Sequence, residues 1–221
     1  MPRLTTELLL EMYQAMLDFL GPSGWWPAQS PFEMAVGAIL TQNTNWQNVE
    51  KAIANLRDHD LLEPRRLDAV APEELERLIQ PSGFYRQKAR NLQAFLDFLR
   101  EADAYDLAVL AGWETGILRN RLLAVRGIGP ETADSILLYA LGRPVFVVDA
   151  YTARICQRHG LLPEDAGYDE LQALFAGRLP ENAALYNEYH ALLVRVGKGW
   201  CRKKAPECHS CPLREFSPSR A

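Results

Sequence analysis

Apolar residues fall at three- and four-residue steps in segment after segment of this chain. Leu8, Leu9, Met12, Met16 and then Phe19 or Leu20 mark one face of a first helix, which Gly21-Pro22 stops. Ser30-Pro31-Phe32-Glu33 combines an N-cap serine, a proline at the first helical position and a glutamate at the third. It predicts a buried helix from Pro31 to about Leu40, because those residues satisfy or remove amide donors that the first turn leaves unpaired. Thr44-x-x-Gln47 repeats the capping-box arrangement and predicts a helix from Trp46 to about Asp58. Pro72-Glu73-Glu74 opens a short helix that ends before Pro81-Ser82-Gly83, and a longer one follows from Tyr85 with Leu92, Phe95, Leu96 and Leu99 on one face. Further helical stretches fit 113–125, 130–142, 149–159, 168–177 and 181–197. Val145-Phe146-Val147-Val148 is mostly β-branched, but it has no hairpin partner and reads as an extended connector. The expected fold class is all-α, without internal repeats or low-complexity segments and with a free tail only from Ser217 to Ala221.

Composition narrows the class. With 221 residues the chain has room for one large or two small domains, and 48% hydrophobic with 24% charged residues excludes disorder over most of its length. A net charge of -4 excludes a uniformly basic coat for nucleic acid, so any DNA contact must be local. The longest clearly apolar run, Ala35 to Leu40, is too short to cross a bilayer. The opening residues carry an acid inside an amphipathic pattern and lack a small-residue cleavage site, so a cytoplasmic protein is expected, nucleoid-associated in a prokaryote.

Residues 123–134 read LAVRGIGPETAD. An apolar helix end, then Gly127-Ile128-Gly129, then a new helix opened by Pro130 predicts a tight helical hairpin. The amides of such a turn and of the helix after it can hold a DNA phosphate without reading a base, and Arg119, Arg121 and Arg126 add positive charge. A glycine-capped helical hairpin with no ligand would account for the same glycines. Eighteen positions after Glu131 stands Asp149, in VFVVDAYTARI, at the expected start of a helix that it would cap.

The hairpin and the aspartate together resemble the helix-hairpin-helix and Gly/Pro-Asp signature of the endonuclease III superfamily of DNA glycosylases. AILTQNTNWQNV resembles the family segment that places a glutamine, here Gln42, in the space left by an extruded nucleotide, and PSGFYRQKA resembles a second wedge loop whose apolar residue is Phe84. The resemblance implies a six-helix barrel domain over 22–132 and a second helical domain made of 1–21 with 133–221, with double-stranded DNA and its damaged base held between them. It implies catalysis by Asp149, and contacts to DNA by Arg126, Gly127, Ile128 and Gly129. A monomer is expected.

Lyase members of the superfamily carry a lysine after the hairpin proline, because an amine can form a Schiff base with the sugar. This chain has Glu131 there, and its five lysines, Lys51, Lys88, Lys198, Lys203 and Lys204, all lie far from the hairpin in sequence. A monofunctional glycosylase follows from the resemblance. Trp25, Trp26, Pro27 and Trp46 look similar to the aromatic set of the endonuclease III-like 3-methyladenine glycosylases, where electron-rich rings stack on a cationic purine; Glu131 and Lys198 would sit at the pocket wall and edge. A hydrophobic plug between domains is the structural alternative for the tryptophans. Two rival functions stay open: a bifunctional oxidised-pyrimidine glycosylase with lyase activity, and a DNA-binding relative without catalysis.

Three of the four cysteines crowd into the last part of the chain. Cys201-x6-Cys208-x2-Cys211 has the spacing of the first three ligands of the superfamily's 4Fe-4S loop, and the fourth place is taken by Ser217, a harder and poorer ligand for iron. A cluster with an atypical fourth ligand, a three-iron cluster and a zinc site using a histidine such as His209 all fit this pattern. Arg202, Lys203 and Lys204, inside the same loop, are candidate phosphate contacts, while Cys156 reads as a small buried hydrophobe.

Overall fold

The computed structural model describes residues 5–25 and 28–217, and every regular element among them is helical. None of these helices is long and apolar enough to cross a membrane. The chain divides into two compact units, one running from Trp26 to Arg143 and the other joining the residues up to Trp25 with those from Pro144 onward.

The first of these is built on helices α2 (Pro31–Leu40), α3 (Trp46–Asp58), α4 (Pro64–Asp68), α5 (Pro72–Ile79), α6 (Tyr85–Glu101), α7 (Thr115–Leu123) and α8 (Pro130–Ser135). α2 begins where Ser30 Oγ accepts the amide of Glu33 (3.1 Å), and from Phe32 to its end at Leu40 every residue but Met34 is buried, so it lacks the polar face of a surface helix. It packs against α3, α6, α8 and the π-helical turn Ile136–Ala140 that prolongs α8. That prolongation explains why the unit closes at Arg143 and not at 132, the boundary expected from sequence: 132 falls inside a buried helix, and a cut there would expose Ile136, Leu137 and Leu138. The cap of α3 also differs from expectation. Asn45 Oδ1 accepts the amide of Asn48 (3.1 Å), while Thr44 Oγ1 accepts from the Asn48 side chain, so the capping-box threonine lies one residue outside the cap.

The second unit contains α1 (Thr6–Leu20), α9 (Ala150–Arg158), α10 (Tyr168–Ala176) and α11 (Ala183–Gly199). α11 is its spine, packed on α1 and α9, and Tyr189 Oη donates to Leu9 O at 2.8 Å. The connector 145–148 is extended, and its apolar character is accounted for by packing: Phe146 stacks on Phe175 with ring centroids 4.1 Å apart, and the edges of Tyr186 and Tyr189 close around the pair.

One buried ion pair joins the two helices of the hairpin. Arg119 on α7 donates from Nε and Nη2 to the two carboxylate oxygens of Asp134 on α8, at 2.7 and 3.0 Å, and Asp134 is fully buried. Removing Arg119 would leave the Asp134 carboxylate charged in a place water cannot reach. Arg119→Met is expected to lose on the order of 3–5 kcal/mol of stability, read as a lowered denaturant midpoint; a change within the error of the measurement would contradict this account of the hairpin.

Candidate functional site

The hairpin between α7 and α8 is shaped by a steric constraint. Gly127 has φ +80°, in the left-handed region, and a Cβ placed on it would stand 2.1 Å from Asn91 Oδ1. Only glycine fits there. Two side chains then grip the turn. Gln42 Nε2 donates to Gly127 O (2.9 Å) and to Thr132 Oγ1 (3.0 Å), Asn91 Nδ2 donates to Gln42 Oε1 (3.2 Å), and Gln87 Nε2 donates to Asn91 Oδ1 (2.8 Å).

The hairpin residues separate into two groups. Arg126, Gly127 and Gly129 are exposed. Ile128, expected among the DNA contacts, has a side chain 4% exposed and an amide that donates to Val125 O at 3.1 Å, so its side chain anchors the turn from below. Arg119 is committed to Asp134, and Arg121 lies over the rings of Trp113 and Phe98, leaving Arg126 as the arginine that the hairpin tip presents outward. Glu131 is exposed at the second position of α8, and Trp46 is half-buried at the first position of α3. Gln42, expected in the space left by an extruded nucleotide, is half-buried here and braces the hairpin.

Phe84 is the most exposed large apolar side chain described, at 69%, and its backbone is left-handed with φ +47°. That conformation costs a bulky L-residue about 1–2 kcal/mol, so the turn before α6 is held against its own preference with an aromatic ring facing water.

In the other unit, Asp149 caps α9. Its Oδ1 accepts from Thr152 N (2.7 Å) and Thr152 Oγ1 (2.9 Å), and the carboxylate side chain is 12% exposed. Oδ2 lies 3.7 Å from His190 Nε2 on α11. Burial holds the His190 imidazole below its ordinary pKa, against the pull of the Asp149 carboxylate, so at neutral pH the ring is uncharged. His190 had no signal in the sequence, because its relation to Asp149 arises only when α9 packs on α11.

Trp25 is half-buried at the end of a strap that α11 secures: Glu188 accepts from Ser23 N and Ser23 Oγ, both at 2.7 Å, and Arg195 donates to Leu20 O and Gly21 O. Trp26 and Pro27 lie outside the described residues. Lys198 is exposed in the last turn of α11.

Cys201 and Cys211 are buried and Cys208 is exposed. Arg158 Nη1 donates to Cys201 Sγ (3.3 Å) and the Leu213 amide to Cys211 Sγ (3.4 Å). Burial, with the neighbouring Cys201 and Cys208 sulfurs, raises the pKa of the Cys211 thiol. The three sulfurs therefore share one neighbourhood, yet among the described residues no three ligating side chains stand close enough to hold a single ion. Ser217 is exposed just after the last helical turn, Arg202 pairs with Glu207, and Lys203 and Lys204 are exposed. Cys156 is buried in α9 with its thiol pushed up to about 12, as befits a protonated core residue.

Residues 36–181 match the family described as HhH-GPD superfamily base excision DNA repair protein. A Methanocaldococcus jannaschii protein, provisionally named a DNA repair glycosylase, is 47% identical over 216 residues, 97% of each chain. Among solved structures, a non-covalent endonuclease III–DNA complex matches with a TM-score of 0.81 at 25% identity, over 96% of this chain and 95% of that one. Helicobacter pylori 3-methyladenine DNA glycosylase bound to 1,N6-ethenoadenine matches with a TM-score of 0.72 at 31% identity, over 87% of this chain and 96% of that one.

The Gly127 constraint is testable by itself. Gly127→Ala introduces both a disfavoured backbone conformation and the clash with Asn91, and should lower the melting temperature by several degrees. Adding Asn91→Ala should recover the part due to the clash. An alanine tolerated without loss would remove the close approach from the account.

Proposed function

The chain belongs to the HhH-GPD superfamily of base excision DNA repair proteins, and from that premise we propose that it is a monofunctional DNA glycosylase. It hydrolyses the N-glycosidic bond of an alkylated purine such as 3-methyladenine after that nucleotide has been extruded from duplex DNA. The observation that carries this reading is Glu131, which follows Pro130 at the start of α8, where a lyase would place an amine. Lys88 is the lysine of the same unit with an activated amine, since burial lowers its pKa to about 8. It is 2% exposed and its ammonium donates to two backbone carbonyls, Leu40 O and Ser82 O, so it is not presented to a sugar.

The chemistry suits the residues. An N-alkylated purine is cationic, so when the bond to C1′ breaks, the electron pair leaves with the base and neutralises it. The sugar becomes oxocarbenium-like, and an anionic carboxylate stabilises that charge until water adds to C1′ and releases a proton. Asp149 suits this role because Thr152 fixes one of its oxygens and the imidazole beside the other carries no positive charge to compete with the sugar. Trp25 and Trp46 are the candidate rings for stacking on the cationic base, a contact worth roughly 0.5–2 kcal/mol each. The likeness to the H. pylori enzyme supports this substrate class, and the exposed Arg126, Gly127 and Gly129 suit a phosphate of duplex DNA.

A 4Fe-4S cluster is part of the proposal. In a cubane each thiolate binds a different iron, so the ligands spread more widely than around one ion. Soft thiolates at the spacing Cys201-x6-Cys208-x2-Cys211 suit such a cluster, and hydrogen-bond donors reach two of the sulfurs, Cys201 and Cys211. Cys201, Cys208 and Cys211 would hold three corners, with Ser217 or solvent at the fourth. When bound, the cluster would tie down the loop that carries Lys203 and Lys204.

On duplexes carrying methylated purines the purified protein should release the base and leave abasic sites that are cut only by alkali, while Asp149→Asn loses on the order of 10² or more in single-turnover rate and keeps most DNA affinity. A substantial borohydride-trapped covalent complex would show a lyase instead, and an Asp149→Asn variant as fast as the parent would remove the carboxylate from the mechanism.

Protein prepared without air should carry iron and inorganic sulfide with broad visible absorbance, both lost in Cys208→Ala. Stoichiometric zinc without iron or sulfide would overturn the cluster.

A further inference from the structure

Lys88 is the one lysine with a buried side chain among the described residues, and the reaction above has no use for its amine. Its Nζ donates to Leu40 O at 2.8 Å and to Ser82 O at 2.7 Å. Both acceptors end helical segments: Leu40 closes α2, and Ser82 closes the 3-10 turn Gln80–Ser82. Carbonyls at such ends lack partners inside their own helix and carry the negative end of its dipole, so an ammonium is a suitable common cap. Two residues beyond Leu40 stands Gln42, and two residues beyond Ser82 stands Phe84.

The main chain of Lys88 holds the same turn, since its amide donates to Phe84 O at 3.0 Å. One helical turn further along α6, Asn91 binds Gln42 and lies against Gly127. This face of α6 thus touches the Gln42 loop, the Phe84 turn and the hairpin. Burial alone accounts for the lowered pKa of Lys88, with no acidic group contributing. A charge kept in the interior without a carboxylate is a net cost that an apolar side chain of similar volume would avoid. What the ammonium adds is the bridge between two carbonyls that are 42 positions apart.

We propose that Lys88 is a positioning residue that locks the Gln42 loop and the Phe84 turn into one unit, so that both engage a lesion in duplex DNA together. The link between the loops stands on the geometry; its service to lesion recognition rests on the glycosylase reading. The strained backbone of Phe84 agrees with such a lock, because a left-handed aromatic residue facing solvent keeps its place only where the flanking residues are fixed.

The experiment uses the full-length protein and Lys88→Met, which keeps the volume and removes the donors. Amide hydrogen exchange without DNA should speed up by at least about tenfold at residues 41–44 and 82–86 together, with the rest of α6 unchanged. Binding to a duplex with a tetrahydrofuran abasic analogue, relative to an undamaged duplex, should lose about tenfold in selectivity, with the salt dependence of undamaged binding preserved. Faster exchange in one loop only, or in neither, overturns the lock, and so does selectivity that survives the substitution. A parent protein with no preference for the analogue would sink the glycosylase reading and the lesion half of this proposal, while the exchange result still decides the lock. Should Lys88→Met fail to fold, one change in each loop of the parent background decides the matter. Gln42→Ala and Phe84→Ala should be clearly non-additive on binding to the analogue duplex if the loops act as one, and additivity would overturn the proposal.

Discussion

The hairpin depends on one close approach: the backbone of Gly127 against the side-chain amide of Asn91, with no room for a Cβ between them. That contact brings Gly127 O within reach of Gln42, whose amide goes on to Thr132 at the start of the next helix. A turn held from beneath by side-chain amides needs none of its exposed face for its own stability. Val125 and Ile128 point inward and the ion pair of Arg119 with Asp134 fixes the helices, so Arg126, Gly127 and Gly129 are left to the outside. Such a turn is ordered before any phosphate arrives, and preorganisation of this kind saves the ordering cost at binding.

The same economy of roles marks Asp149. As an N-cap it must aim one oxygen at the amide of Thr152, which fixes the plane of the carboxylate and therefore the direction of the second oxygen. The buried neighbour on that side is an imidazole whose desolvation keeps it uncharged near neutral pH. The structural duty at the helix start is thus compatible with the chemical role proposed for the same side chain.

Much of the helical order was legible because its signals are local. Ser30-Pro31 and Gly21-Pro22 start and stop helices by chemistry confined to a few residues, and the observed bounds of α2 and α1 lie at those positions. Thr44 and Asn45 show the limit of such reading, since both can cap and only the packing of α3 decides between them. Partners distant in the chain could not be read locally. Arg119 looked like charge for DNA, and its pairing with Asp134 shows only in the fold; so do the contacts of Gln42 with Asn91 and Gly127, and the burial of the Ile128 side chain inside an exposed motif. Lys88 carried no sequence signal, because nothing local distinguishes a lysine that bridges two carbonyls from one in solvent.

The central claim is that this chain removes a cationic base by hydrolysis and leaves the sugar–phosphate backbone whole. Mass spectrometry of both products from a short duplex with a single 3-methyladenine tests it most directly. The account predicts free 3-methyladenine together with an uncut strand carrying one intact abasic sugar. A strand cleaved with an unsaturated aldehyde at its 3′ end, or a strand that keeps its methylated base under single-turnover conditions, would contradict it.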